Sequence, residues 1–381
     1  MGRKTRIAIV INTSWNIYNF RLGLMRAFSK RGYEVVAIAP KDRYSKKIED
    51  AGFEFHEIDM DNKGTNPLRD LLFILDLYRL YKKIAPDIVL HYTIKPNIYG
   101  SIASYLLGIP AINTVTGLGT AFLEDSFGAK MARLLYRLTS RLPKMTLYQN
   151  PYDRELFLKL GMTREDRSDI VAGSGIDTDL FSPRRSVRID DETIHFLFIA
   201  RLVTQKGIME YIEAARKILK EMRGNHMMRR ASFSILGSFY PGNPSAITRE
   251  QMEIWSRERI VSYLGKSDNV REIMVHFDCI VLPSYREGLS HVLLEAASMK
   301  KPIIASDVPG CRDVIEDGVN GFLCKPADSE SLAKAMKKIL SCDTSCLERM
   351  GNRGRKLVIE RFREELVVEK YLSVIEESLS P

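Results

Sequence analysis

Residues 284–296 read SYREGLSHVLLEA and carry two glutamates, Glu287 and Glu295, eight positions apart. The first follows the strand-like run CIVLP, which ends at Pro283, and stands just before Gly288. The second falls in a run with helical periodicity. A helix mouth offers unpaired N–H groups and partial positive charge, which suits a phosphate. A glycine there lets a ligand come close to the backbone. A carboxylate at the mouth can accept hydrogen bonds from one sugar ring, and a second about two turns on can reach another ring. That geometry suggests a nucleotide-sugar, with its phosphates at the mouth and a ring at each glutamate. The same spacing also describes a helix with an acidic first turn and an exposed Glu295, and the residues alone leave both open.

A second group bears on the choice. The strand-like run from Ile194 to Ala200 leads into ARLVTQKGI, where Arg201 is followed by Lys206 and Gly207 at the next helix start. Two cations at such a turn can clamp a diphosphate and neutralise the charge that grows on a departing nucleoside diphosphate. A solvated basic turn has the same composition. Three further glycine turns follow apolar runs: LGSFYPGNPSAI with Gly237, YLGKSDNV with Gly265, and SDVPGCRDVIEDGVNGFL with Gly310, Gly318 and Gly321. Each is weak alone, and their order is the specific feature.

That ordered set of ARLVTQKG, LGS, YLGKSD, PSYREGLSHVLLEA and DVPGCRDVIEDGVNGFL resembles family 4 glycosyltransferases, which have the GT-B fold. The resemblance spans nearly the whole chain and is strongest from about residue 194 to 324. NPSAI, TGLG at 116–119 and TIKPNIYGS at 93–101 are similar to one subgroup. Its members extend bacterial capsule, O-antigen or glycoprotein glycans on polyprenyl diphosphate carriers. The resemblance implies that Arg201 and Lys206 bind the donor diphosphate and that Glu287 contacts the donor sugar. It implies further that Gly288 and Leu289 offer backbone N–H groups to phosphate, that Glu295 holds the ribose hydroxyls, and that the Gly237 and Gly265 loops border the donor. Such enzymes retain anomeric configuration and need no metal or other cofactor. The leaving diphosphate takes the acceptor proton on the same face of the sugar.

The N-terminal half departs from the family pattern at two places. Thr116 stands where many relatives have a histidine before Gly117, and the loop NTSWNIYNF after the first strand has no glycine. The N-domain catalytic group is therefore unassigned. Acceptor-side candidates are His91 and Lys95, after the strand that begins at Asp87, with Thr116, Gly117 and Gly119. A strand-end histidine satisfied by backbone is an equal reading of His91. Asp59 and Asp61 form a D-x-D in EIDMDN, which reads better as a solvated strand end than as a metal site.

The elements that must position these residues alternate. Strands at Arg6 to Ile11, Glu34 to Ala39, Asp87 to Leu90, Ala111 to Val115 and Met145 to Gln149 are separated by helices at Phe20 to Lys30, Lys46 to Ala51, Pro67 to Ile84 and Ile98 to Leu107. A second series has strands at Ile194 to Ala200, Ala231 to Gly237, Ile260 to Leu264, Cys279 to Leu282, Pro302 to Ser306 and Gly321 to Cys324. Its helices are Gly207 to Met222, Asn269 to His276, Leu289 to Met299, Cys311 to Ile315 and Ser329 to Leu340, and Gly351 to Ser378 is strongly helical. Such alternation means parallel sheets with helices on both faces. The expectation is an α/β chain of two Rossmann-like domains facing a central cleft. These are an acceptor-binding domain at 1–172, a nucleotide-sugar domain at 173–355, and a helix at 356–381 returning to the first domain. Ligands of such sheets bind beyond the carboxyl ends of the strands.

Composition bounds the partners. The chain has 381 residues, 45% hydrophobic and 28% charged, with net charge +9. That balance fits a globular protein with an anionic partner. No nucleic-acid motif stands out, and aromatics are not interleaved with the cations. Five scattered cysteines argue against a disulfide frame and fit a reducing cytoplasm. The N-terminal apolar run is too short to span a bilayer. Lys130, Arg133, Arg137, Arg141 and Lys144 recur at spacings of three and four, with Leu134, Leu135, Tyr136 and Leu138 between them. Such a helix can lie on anionic lipid heads, or can be a solvated helix with its apolar side in the core. The expected activity is transfer of a hexose or N-acetylhexosamine from a UDP-sugar to a lipid-diphosphate glycan at the inner face of the plasma membrane. Rival expectations are a UDP-sugar 2-epimerase of similar fold and a non-catalytic nucleotide-sugar sensor.

Overall fold

The computed structural model describes residues 3–61, 66–118, 127–184, 192–224 and 229–380. The chain divides into two compact units, Met1–Gly175 with Glu364–Pro381, and Ile176–Arg363. In the first, β1 (Arg6–Val10), β2 (Glu34–Ala39), β3 (Glu54–Glu57), β4 (Ile88–Tyr92), β5 (Ala111–Val115), β6 (Met145–Tyr148) and β7 (Ser168–Ile170) form a parallel sheet in the order β3-β2-β1-β4-β5-β6-β7. Its helices are α1 (Ser14–Phe20), α2 (Leu22–Lys30), α3 (Ser45–Asp50), α4 (Pro67–Ile84), α5 (Ser101–Leu106), α6 (Phe127–Thr139) and α7 (Pro151–Lys159), with a π-helical turn at Pro96–Gly100. The central strands β1, β2 and β4 are buried on both faces, which is why they read as nearly continuous apolar runs. Alternate residues of β1 go to opposite cores. Ile7 and Ile9 pack with Phe28 of α2 and with Val367, Tyr371 and Ile375 of the C-terminal helix Glu364–Leu379. Ala8 and Val10 pack with Phe73, Leu77 and Tyr81 of α4 and with Tyr136 of α6.

The second unit repeats the plan. Strands β8 (Thr193–Ile199), β9 (Arg230–Leu236), β10 (Ser262–Tyr263), β11 (Cys279–Leu282), β12 (Ile303–Ser306) and β13 (Gly321–Cys324) pair in parallel in the order β10-β9-β8-β11-β12-β13. Helices α8 (Ile208–Gly224), α9 (Arg249–Arg257), α10 (Val270–Met274), α11 (His291–Ser298), α12 (Ser329–Ser341) and α13 (Thr344–Arg361) complete it. In each sheet the strand order reverses beside the first strand, at β1/β4 and at β8/β11, and these are the switch points where ligands bind.

Several expectations are corrected. The helix expected at Phe20 to Lys30 is α2 at Leu22–Lys30, and a separate helix α1 precedes it, set off at Arg21 and capped by Thr13, whose side chain accepts from the Asn16 N–H. NTSWNIYNF is thus mostly helix, not an open loop. Cys311 to Ile315 is a run of turns, not a helix. Alpha-helix α11 begins at His291 with Ser290 before it, so Gly288 and Leu289 lie in the loop. The break expected at 355/356 falls inside α13, and the chain leaves the second unit at Arg363 instead. Helices α7 and α9 and strand β7 were not foreseen. Their cues are short and polar: Asn150 caps α7 ahead of Pro151, and Thr248 with Gln251 makes a capping box for α9.

Candidate active site

In the second unit the loops after β8 and β11 lie side by side at the switch point. Their backbones are joined: the Gln205 carbonyl accepts from the Tyr285 N–H at 2.9 Å and from the Ser284 hydroxyl at 3.2 Å. The approach needs Gly207. Its φ is 77°, and a Cβ there would stand 2.0 Å from the Pro283 carbonyl oxygen. Across this joint Lys206 Nζ donates to Glu287 Oε1 at 2.5 Å, with side-chain exposures of 20% and 13%. The loop after β12 presses from the other side. A Cβ on Gly310 would meet the Gly288 and Glu287 carbonyl oxygens at 2.5 and 2.8 Å, and the Gly310 carbonyl accepts from the Ser290 N–H at 3.1 Å. Behind the pair lies the buried Cys311, whose thiol is pushed up by burial and then by the Glu287 carboxylate. The Tyr285 hydroxyl donates to Glu210 at 2.7 Å and is raised to about 12 by burial and by that carboxylate.

This arrangement fixes a cation and an anion that together carry no net charge. The Lys206 ammonium has three donors and spends one on Glu287, so two remain for a phosphate oxygen. Among the described residues Glu287 Oε2 takes no hydrogen bond and is open to a sugar hydroxyl. Arg201 opens the β8 loop, exposed, with its guanidinium 5.2 Å from the centre of the Tyr240 ring. Glu295 lies in the second turn of α11, one turn nearer the loop than expected, and His291 Nδ1 holds its Oε1 at 2.9 Å. Gly237 directly follows β9, and Gly265 lies two residues past β10. The Gly237 N–H donates to the Gly265 carbonyl at 2.8 Å, and a Cβ on Gly237 would lie 1.8 Å from the Ala200 carbonyl oxygen. Gly237 therefore serves backbone packing at this edge. Gln205, Tyr240 and Cys311 had no cue in the sequence, since each acts through a contact made by folding.

The first unit treats its candidates differently. His91 is fully buried in β4, with Nε2 2.9 Å from the Tyr81 hydroxyl and Nδ1 2.9 Å from Asn113 Oδ1. Burial lowers it to about 4. It is a neutral member of a core network, so the acceptor-side role expected of it is corrected. Lys95 is committed as well: its ammonium donates to Asp70 at 2.7 Å, and the other oxygen of Asp70 accepts from the Tyr99 hydroxyl at 2.8 Å. Thr116 and Gly117 follow β5, half-buried, and Gly117 has φ 119°. Gly119 lies outside the described residues. Asp61 faces Arg69 at 3.5 Å. On α6 and just beyond it Lys130, Arg137, Arg141 and Lys144 are exposed and Arg133 is half-buried. Leu134 and Leu138 are also exposed, while Tyr136 turns into the core. On the same side of the sheet α4 exposes Leu68, Leu71, Leu72 and Leu75.

Comparison with known proteins assigns one model to each unit. Residues 182–357 match the family described as Glycosyl transferases group 1, and residues 6–147 match Glycosyl transferase 4-like. The chain is 26% identical over 385 residues to the N,N'-diacetylbacillosaminyl-diphospho-undecaprenol alpha-1,3-N-acetylgalactosaminyltransferase of Campylobacter jejuni, covering 97% of this chain and 98% of that one. It is 24% identical over 325 residues to the UDP-Gal:alpha-D-GlcNAc-diphosphoundecaprenol alpha-1,3-galactosyltransferase of Escherichia coli, covering 81% of each. Among solved structures a glycosyltransferase from Rickettsia africae aligns with TM-score 0.79 at 18% identity over 100% of both chains. Anabaena HepE in complex with UDP and glucose aligns with TM-score 0.79 at 16% identity, covering 98% of this chain and 99% of that one. With a matching model on each of its two Rossmann-like units, the chain belongs to the group 1 and 4-like glycosyltransferases.

Proposed function

We propose that this glycosyltransferase moves a hexose or N-acetylhexosamine from a UDP-sugar to a polyprenyl-diphosphate-linked glycan, with retention of configuration. The observation that carries the reading is the Lys206–Glu287 pair at the β8/β11 switch point, with Arg201 opening the same loop. Arg201 and Lys206 hold the donor diphosphate and take up the charge that grows as it leaves. Glu287 and Glu295 accept from hydroxyls on the sugar and the ribose. The bond from the anomeric carbon to the diphosphate oxygen breaks. The acceptor hydroxyl oxygen bonds to the same face of that carbon, and its proton passes to the departing diphosphate. Two side-chain cations do the work that a metal does elsewhere, so no metal is required. The two named relatives act on undecaprenyl-diphosphate sugars, which supports the acceptor class.

The protein works at the cytoplasmic face of the membrane, where such acceptors are anchored. Among the described residues no helix is long and apolar enough to cross a bilayer. Contact is instead peripheral, through the cations on and beyond α6 and the leucines beside them. The test is a panel of UDP-sugars with a short polyprenyl-diphosphate glycan, assayed for released UDP and for the product's anomeric configuration. Release with one donor that depends on the acceptor and gives an axial-to-axial product is expected. UDP release without acceptor, or an inverted product, overturns the reading.

A further inference from the structure

We infer that the first unit holds an anion site built on Arg21 that takes the diphosphate of the acceptor. The inference rests on the acceptor class proposed above. Arg21 breaks the helix between α1 and α2 and is only 3% exposed. Its guanidinium carbon lies 4.3 Å from the centre of the Tyr92 ring. The guanidinium's one hydrogen bond among the described residues is a long 3.4 Å contact to the Phe20 carbonyl, and Nε is buried with no acceptor. No carboxylate among the described residues pairs with it. A buried cation without an anion is costly, and an aromatic face offsets only part of that. The Tyr92 and Tyr371 side chains lie near it, and neither supplies a counter-charge. The Glu364 carboxylate packs against Gly23, two residues along, and makes no ion pair with Arg21.

The location is where a ligand belongs. Tyr92 closes β4, and β4 lies beside β1 at the reversal of strand order. The next residue, Thr93, has φ 68°, which a β-branched residue rarely adopts, and its hydroxyl is buried without a partner. From the loop after β1, Asn16 on α1 also leaves Oδ1 buried and unpartnered. Strain and orphaned polar atoms at one sheet end are the marks of a functional site. A guanidinium offers two parallel donors to phosphate oxygens. The Thr93 hydroxyl adds a donor, and Asn16 Oδ1 accepts from a sugar hydroxyl. The ligand class is therefore a diphosphate ester that also bears hydroxyls. His91 and Lys95 are already committed to protein partners, whereas Arg21 is a buried cation at this end of the sheet with no carboxylate partner among the described residues.

The probe is inorganic pyrophosphate, titrated calorimetrically into the full-length protein. The background is Arg201→Ala with Lys206→Ala, which removes the donor-side cations. Pyrophosphate should still bind there, adding Arg21→Met should weaken it at least tenfold, and Arg21→Lys should weaken it less. In the otherwise wild-type enzyme, Arg21→Lys should raise the acceptor KM severalfold and leave the donor KM unchanged. If Arg21→Met does not fold, Arg21→Lys alone decides both readouts. No pyrophosphate binding in the double-alanine background overturns the site, as does an Arg21 variant that lowers stability but changes neither pyrophosphate affinity nor acceptor KM. Failure of every polyprenyl acceptor to react, with Arg21-dependent pyrophosphate binding intact, overturns the acceptor assignment but keeps the anion site.

Discussion

At the residue scale, steric fit and charge decide most outcomes. Gly207 combines a left-handed backbone with a Cβ position 2.0 Å from the Pro283 carbonyl oxygen. Gly207→Ala should therefore part the two loops that carry Lys206 and Glu287. It should cost about 2 kcal/mol or more in urea unfolding and lower turnover with it. Unchanged stability would mean the loops are held by something else. His91 makes a separate prediction about pH. Its folded value is depressed to about 4 from an ordinary 6.5 by burial. Between those values the unfolded chain binds the extra proton, so stability falls as pH drops below 6.5 and levels off below about 4. The full difference is roughly 3 kcal/mol. His91→Gln, which cannot titrate, should lose about that much less between pH 7 and pH 4. Parallel loss in both proteins would place the acid sensitivity elsewhere.

At the element scale, the sequence was legible where a strand is buried on both faces or a helix is long and amphipathic. The runs at β2, β5, β11 and β13 and helix α4 fall where their residues predicted. Short elements hid because their cues are single capping residues, as at Asn150 and Thr248, and because β7 has three residues. The start of α11 was placed two residues too early because Gly288 read as a helix opener, whereas Gly288 packs against Gly310 in the loop. Helices α4 and α6 raise a prediction of their own. Leu68, Leu71, Leu72 and Leu75 follow the spacing of one helical face and are exposed by 74, 54, 57 and 39%. Arg137 and Arg141 are exposed beside Leu138 on the same side of the sheet. Vesicles with anionic headgroups should bind the protein in a salt-sensitive way. Charge reversal at Arg133, Arg137 and Arg141 should release it, and so should Leu71→Ser with Leu72→Ser. Co-sedimentation indifferent to both sets would rule out this face.

At the scale of the whole molecule, two sheets share one plan, and their switch points carry different chemistry. The second offers a neutral pair of fixed charges, Lys206 and Glu287, at β8/β11, and the first offers the unpaired Arg21 at β1/β4. The first of these could be read from the chain, because Arg201, Lys206, Glu287 and Glu295 stand at fixed places in an ordered set of motifs. The second could not. Arg21 looks like any arginine in an amphipathic run until folding buries it, and His91 and Lys95 look available until Tyr81, Asn113 and Asp70 meet them. If side-chain cations alone stabilise the departing diphosphate, exhaustive chelation of the enzyme should leave its rate within about twofold. A rate that collapses and returns with a divalent cation would contradict that. The most direct test of the account is turnover of Lys206→Ala and of the double variant Lys206→Ala with Glu287→Ala, which leaves no charge unpaired. Both should stay folded by circular dichroism and lose about 100-fold or more in kcat. Near-normal turnover in either would show that the pair does not hold the reacting diphosphate ester.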